Sequence, residues 1–189
     1  EDTGKRNLQG LDKPILDSLG IDKNKPEKQQ RNQTGSPILE EGDILLNTTL
    51  AETNDWQQVD LPVMRTLRHF CIETLSSYTE DNQACISEVD LLDDKGQPID
   101  KTKWEVVYVS SEQADKNLGI AENLFDGDIS SFWHTDPATE PGQPHRIIVD
   151  IKEIYKISAL RFKVRKGAFL SGKVKEINVY GRPQFFLFH

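Results

Sequence analysis

The sequence between residues 122 and 135 concentrates side chains that could bind a metal ion or a ligand. It places Asp126 and Asp128 on either side of Gly127, and continues with two serines, an aromatic pair and His134. An Asp-Gly-Asp turn bends sharply, because glycine tolerates a positive φ and Asp side chains bond their own backbone. Oxygens that converge in such a turn suit a hard cation such as calcium. The same pattern is also typical of a metal-free turn ahead of a buried strand, and the residues alone leave both interpretations open.

The composition limits the classes of partner. The chain has 189 residues, enough for one core or for one domain with a tail, and a formal net charge of −8 at pH 7. This negative balance argues against nucleic-acid binding and against binding to anionic membranes through bulk charge. No run of the sequence approaches the ~20 apolar residues of a membrane-spanning helix.

The two cysteines carry little functional signal. Cys71 and Cys85 could form one disulfide, but neither lies in a CxxC or another spacing typical of metal ligands. The spacing does not decide whether they pair.

Residues 1–40 differ in amino-acid composition from the rest of the chain. They are polar and interrupted by prolines, and their few apolar residues fit one short helix that begins near Leu8 or Lys13. This composition favours a linker or an arm that lies over another surface. We expect the folded domain to comprise residues 41–189.

Beyond residue 38 the sequence consists of short apolar runs separated by turn-forming residues. The expected strands are 44–46, 56–61, 67–75, 86–91, 104–109, 146–151, 157–164, 174–180 and 185–188. Short alternating strands at this spacing predict an all-β, antiparallel β-sandwich. Within the run 67–75, Phe70, Ile72 and Thr74 share one face, and we expect Arg68, Cys71 and Glu73 to mix with solvent.

Several aromatic residues near these runs are interpreted as structural. Trp104, Phe132 and Trp133 lie inside strand patterns, which favours the core over a ligand site. His145 precedes an apolar strand and is predicted to be a hydrogen-bonded structural histidine.

A series of linked motifs from about 104 to 180 resembles one known family. The motifs are residues 110–112, 121–128, 132–135, 144–151, 157–162, Arg165 and 175–180. Together they resemble the discoidin-like, coagulation-factor C-type domain, and most closely its bacterial branch, the family 32 carbohydrate-binding modules. The resemblance implies a galactose-binding-like jelly roll with an extended N-terminal arm.

The order of the motifs departs from the family. In the family, roughly half a domain follows the strand that corresponds to 175–180, whereas here similar segments lie upstream, at 56–61, 67–75 and 86–89. Either the domain is circularly permuted, or 40–92 ends one domain and 104–189 begins another. Half a sandwich would expose a sheet face and an unpaired edge, so permutation is favoured.

The resemblance also implies a structural calcium ion under the binding loops. Carried over by position, its side-chain ligands are Glu88, Asp126, Asp128 and Ser131. The family usually has Thr at the position of Ser131, and serine keeps the hydroxyl. Carboxylates and a hydroxyl form a ligand set that suits a hard cation.

A sugar site is implied in the same way. Galactose-type binders of the family recognise their ligand with polar groups that correspond by position to His134, Arg165 and Glu112. Such groups hydrogen-bond ring hydroxyls, while an aromatic face packs on the apolar side of a sugar. Gln83 stands where some relatives have Tyr, and Phe169 is a candidate aromatic from a neighbouring loop.

We therefore expect a non-catalytic carbohydrate-binding module of a secreted or surface bacterial glycan-processing protein, located extracellularly, at the cell surface or in the periplasm. Its expected partners are a glycan of galactose type and a catalytic domain of the same parent protein. The alternative is a protein-interaction or assembly domain with a vestigial sugar site. An enzyme is not expected, because the sequence has no nucleophile elbow, His-Glu metal motif or phosphate-binding loop. Membrane binding is disfavoured because only residues 168–170 offer a large apolar loop tip.

Overall fold

The computed structural model describes residues 31, 33, 35–79, 81–138, 142–164 and 172–189. The strands are β1 (Pro37–Ile38), β2 (Ile44–Thr49), β3 (Gln57–Thr74), β4 (Cys85–Asp93), β5 (Glu105–Val109), β6 (Trp133–His134), β7 (His145–Val164), β8 (Glu176–Arg182) and β9 (Leu187–Phe188). Short 3₁₀ segments lie at Glu41–Asp43, Asp115–Asn117 and Ala121–Phe125. Within these ranges no helix has the length and apolar character needed to cross a membrane. The helix expected near Leu8 or Lys13 lies outside them.

A long two-stranded ribbon organises the fold. Strands β3 and β7 pair antiparallel over almost their whole length, from Gln57 opposite Phe162 to Thr74 opposite His145. The register shifts twice along the ribbon. Such irregularities let a strand bend and twist without ending. The predicted runs 56–61 and 67–75 therefore form one continuous strand, β3. The predicted runs 146–151 and 157–164 likewise form one continuous strand, β7.

The ribbon takes part in both layers of a sandwich. One layer contains β2, β8, the second half of β3, the first half of β7, and β5. The other contains the first half of β3, the second half of β7, β4 and β6. All of these pairs are antiparallel, which confirms the predicted all-β jelly-roll sandwich.

One apolar core lies between the layers. It combines residues of β2–β4 with residues of β5–β8, and its largest fully buried side chains include Phe70, Trp133 and Phe162. The Trp104 ring packs 5.5 Å from Phe70 and 5.6 Å from Phe125, measured between ring centroids. Phe132 is also buried. The upstream and downstream parts of the chain therefore share a single interior, and the predicted core aromatics are confirmed.

A second apolar cluster covers the outer face of the layer that contains β8. It consists of Cys71, Ile148, Tyr180 and Phe186, and Phe186 comes from the segment that leads into β9. Cys71 is fully buried and Glu73 is 5% exposed, so the expectation that both face solvent is wrong. Alternation identified the two faces of this strand correctly, but it did not reveal that the chain terminus covers the second face.

The two cysteines do not form a disulfide. Cys71 lies in the outer cluster, whereas Cys85 begins β4. Burial raises the pKa of the Cys71 thiol above its usual value, so this thiol is protonated and unreactive near neutral pH.

Candidate functional site: the 126–131 loop and the rim

The 126–131 loop adopts the turn predicted for it. The Asp126 carboxylate accepts a hydrogen bond from the Asp128 amide at 2.9 Å. Gly127 has φ of +80°, in the left-handed region that favours glycine. The Ser131 amide donates to the Asp128 carbonyl at 3.1 Å. The loop joins the 3₁₀ segment Ala121–Phe125 to β6, and its conformation follows directly from its local sequence.

Glu88 reaches this loop from β4. Its side chain is 1% exposed, and its Oε1 accepts a hydrogen bond from the Gly127 amide at 2.9 Å. The two segments are brought together because β4 pairs with both β6 and β7. The structure thus places Glu88 beside the predicted metal loop.

Most of the predicted oxygen ligands converge there. Ser131 Oγ donates to Asp126 Oδ2 at 2.5 Å and lies 3.0 Å from the Asp128 carbonyl. The Asp128 carboxylate instead accepts bonds from the Ser130 amide and hydroxyl, at 2.9 and 2.6 Å. Asp128 therefore contributes a carbonyl to the cluster, whereas a carboxylate was expected.

The donor set fits a hard cation. It consists of the carboxylates of Glu88 and Asp126, the Ser131 hydroxyl and the Asp128 carbonyl, all of them oxygen ligands of the kind that calcium takes. In the part of the chain that the structure describes, no three His, Cys, Asp or Glu side chains form a metal-binding group. Any ion bound here would thus rely on hydroxyl and backbone oxygens as well as on these two carboxylates.

The electrostatics of the loop also favour a cation. Burial and a hydrogen bond with Asp126 raise the pKa of Glu88 to about 8, although Lys101 acts in the opposite direction. The Lys101 ammonium contacts Glu88 and lies 2.6 Å from Asp90 Oδ1, so its charge is shared between two carboxylates. The raised pKa means chiefly that removal from water disfavours the charged form of Glu88, with a smaller effect of the Asp126 charge. A bound cation would stabilise that charged form.

Two of the predicted sugar-binding residues lie next to each other at the start of β4. His134 pairs with Cys85, and the hydroxyl of the following residue, Thr135, donates to Gln83 Oε1 at 2.6 Å. His134 is 4% exposed and Gln83 is 8% exposed. Both side chains are thus almost fully buried, and His134 Nδ1 lies 2.5 Å from the Thr135 carbonyl.

Glu112 belongs to the same neighbourhood. The amide of the next residue, Gln113, donates to the His134 carbonyl at 2.8 Å. Glu112 Oε2 accepts from the Ala121 amide at 2.9 Å, which holds the carboxylate over the start of the 3₁₀ segment. Its other oxygen accepts from Arg31 Nε at 3.0 Å. Both oxygens of this predicted sugar ligand are thus engaged within the chain.

Arg165 and Phe169 lie outside the described residues. The residues that flank that segment are placed beside the rim: Val164 pairs opposite Ile86, and the Gly172 carbonyl accepts from the Cys85 amide at 2.7 Å.

His145 has the structural role expected for it. It is 3% exposed, and its Nε2 lies 2.6 Å from the Asn82 carbonyl. Burial lowers the pKa of His145, and the bond to Asn82 only partly opposes this effect. The neutral ring donates a hydrogen bond and fixes the turn before Gln83.

Two residues of this region, Lys101 and Arg31, were not found from the sequence. Lys101 contacts the buried carboxylates of Glu88 and Asp90, while Arg31 joins Glu112 to Glu122. Lys101 belongs to no motif, and Arg31 belongs to a polar stretch with no periodic signal. These contacts span long sequence separations, so only the folded chain reveals them.

The described residues form a jelly-roll sandwich, and part of the chain is similar to known proteins. A family model described as the F5/8 type C domain matches residues 106–184, which confirms the resemblance for that part of the chain. A sialidase from Micromonospora viridifaciens is 33% identical over 84 residues. The match covers 43% of this chain and 13% of the sialidase, so it relates this chain to one small part of that protein.

Proposed function

We propose that this chain is a non-catalytic carbohydrate-binding module of a secreted or surface protein that processes glycans, and that it is a circularly permuted member of the family 32 type. The observation that carries the proposal is the cluster of polar groups at the rim. The three segments that carry Gln83, Glu112 and His134 lie side by side around β6, through contacts of their neighbours Thr135, Gln113 and Cys85. The combination of the Glu112 carboxylate, the Gln83 amide and the His134 imidazole suits a pattern of sugar hydroxyls.

The comparisons support the same class of function. Domains of the F5/8 type C family are typically binding modules rather than catalysts. The similar sialidase is named for an activity on glycans, and a module of the proposed kind would hold such an enzyme near its substrate. We accordingly propose an extracellular, cell-surface or periplasmic location and a galactose-type glycan as the ligand.

A structural calcium ion is part of this proposal. Glu88, Asp126, Ser131 and the Asp128 carbonyl would hold it. When bound, the ion supplies fixed positive charge under the rim. The protein groups then do the recognition: the 126–131 loop positions β6, and β6 positions His134.

The experiment is a glycan array on the full chain with calcium present, followed by calorimetry with lactose. We expect binding to galactose-terminated glycans that Arg165→Ala and His134→Ala abolish, because each variant removes groups that hydrogen-bond the sugar. Lys95→Ala is the matched control, since Lys95 is exposed in the turn after β4 and should leave affinity unchanged. Circular dichroism checks that each variant is folded.

One observation favours the alternative function. The Glu112 carboxylate already has two partners within the chain, so it is not open to a sugar as it stands. A protein-interaction or assembly domain with a vestigial sugar site would show this arrangement. Absence of binding to any glycan by the folded, calcium-loaded protein would overturn the carbohydrate proposal in favour of this alternative.

A further inference from the structure

The contact between Arg31 and the rim has the geometry of a bound ligand. Arg31 Nε donates to Glu112 Oε1 at 3.0 Å, and its Nη2 contacts Glu122 Oε1. The side chains are 16%, 10% and 27% exposed, respectively, so the charges meet where water is largely excluded. Two carboxylates thus hold one guanidinium between them.

The receiving carboxylate is also held by the body of the domain. Glu112 Oε2 accepts from the Ala121 amide, which leaves Oε1 directed to the arm. Glu122 follows Ala121 directly in the 3₁₀ segment Ala121–Phe125. A planar guanidinium presents several donors in a fixed fork and can satisfy two such acceptors at once, which an ammonium cannot do in the same way.

A second anchor lies two residues further along the arm. The Gln33 side-chain amide donates to the Val109 carbonyl, and its oxygen accepts from the Val109 amide at 3.2 Å. Strand β5 pairs only with β7 among the described strands, so this bond pair covers backbone groups at a sheet edge. The Gln33 amide thus takes the place of a neighbouring strand's peptide group.

The described contacts trace the arm back to the body of the domain. Ser36 exchanges backbone hydrogen bonds with His189, at 3.0 and 3.1 Å, and β1 then pairs with β9. The described residues Ser36, Gln33 and Arg31 thus contact His189, the end of β5 and the Glu112–Glu122 pair, respectively. These three contacts are independent of one another.

We propose that Glu112 and Glu122 form a guanidinium-binding site on the rim, and that this chain's own Arg31 is its occupant. We further infer that the docked arm competes with a saccharide for Glu112, so that a glycan binds only after Arg31 leaves. The guanidinium site stands on geometry alone. The competition rests on the function proposed above.

The first experiment tests the guanidinium site without any sugar. n-Butylguanidinium is titrated into Arg31→Ala and into the unaltered full chain at low ionic strength, with the Ala121 amide as NMR reporter. We expect saturable shifts in Arg31→Ala and at least a fivefold weaker response in the unaltered chain. n-Butylammonium should bind several-fold more weakly than the guanidinium. Equal responses of the two proteins, or none in either, would overturn the site.

The second experiment tests the competition with lactose. Removal of the arm contact by Arg31→Ala or by Glu122→Gln should raise lactose affinity about three- to tenfold, because the binding-competent fraction increases. Lys95→Ala removes one positive charge elsewhere, as Arg31→Ala does at the rim, and should have no effect on lactose affinity. If the arm docks by the first experiment but both variants keep unaltered lactose affinity, the competition is disproved. If no variant binds lactose, the proposed carbohydrate function fails while the guanidinium site stands.

Discussion

At the scale of single residues, the two aspartates of the 126–131 loop have different roles although they are separated by one glycine. The Asp126 carboxylate lies with Ser131 and Glu88, whereas the Asp128 carboxylate closes a local turn with Ser130. A family pattern that assigns both side chains to the metal does not distinguish them. The hydrogen bonds of the two carboxylates show that their roles differ.

This difference predicts the response to calcium. Saturating calcium should raise the melting temperature of the unaltered protein by several degrees, since a hundredfold excess over Kd stabilises the folded state by about 2.7 kcal/mol. Asp126→Asn should lose most of this rise, because it removes a charged ligand while its side-chain oxygen keeps the turn. Asp128→Asn should retain it. The measurement is calorimetry with calcium and with a chelator.

A chelator-insensitive melt of the unaltered protein would contradict the calcium site. Equal losses in the two variants would contradict the ligand assignment, because the assignment depends on the Asp128 carboxylate facing Ser130.

At the scale of elements, the segment that leads into β9 covers the outer face of the sheet through Phe186. Phe186 is 3% exposed and packs into the outer cluster with Cys71, while Leu187 in β9 is 60% exposed. The terminal segment thus contributes core on one side and faces solvent on the other.

This arrangement predicts a sharp contrast between neighbouring substitutions. Phe186→Ala should lower the free energy of unfolding by about 3–5 kcal/mol, the usual cost of removing a buried phenylalanine. Leu187→Ala is the control and should change it by less than about 0.5 kcal/mol. Urea denaturation measures both. If both substitutions change the free energy of unfolding by a similarly small amount, the segment that contains Phe186 does not cover the sheet in solution.

At the scale of the whole molecule, the β3–β7 ribbon joins segments that the sequence separates widely. Both layers contain parts of β3 and β7, and one core receives side chains from both halves of the chain. The described ends also meet, because Ser36 and His189 share hydrogen bonds.

These features predict that the family order of strands can be restored. A permutant that joins residue 189 to residue 36 through a short glycine-serine linker and opens between Asp94 and Lys95 should fold with the same circular dichroism spectrum and calcium response. The new break, between Asp94 and Lys95, lies in an exposed turn, and the two joined residues, Ser36 and His189, are also exposed. As a control, opening the chain between Ile72 and Glu73 should prevent folding. A permutant opened at 94 that is unfolded would contradict the single-domain, permuted interpretation.

Much of the fold could be predicted because β-strand alternation is a local signal. The pattern of β4 and the Asp126–Asp128 turn depend on neighbours in sequence, and both appear in the structure as expected. Two predicted breaks were wrong in β3 and β7, because a bulge interrupts the apolar pattern without ending the strand. The assignment of the sugar-site residues depends on the family resemblance. Arg165 and Phe169 stay predictions because they lie outside the described residues.

The sequence by itself determined the all-β class, the sharp turn at Gly127 and the family resemblance of residues 106–184. Only the tertiary structure decided that Glu88 meets that turn, that Phe186 covers Cys71, and that Arg31 contacts the Glu112–Glu122 pair. The physical reason is that alternation specifies which face of a strand is apolar, and the residue types specify which positions are charged. It does not specify which distant segment covers that face or neutralises that charge, because these contacts form only when the chain closes on itself.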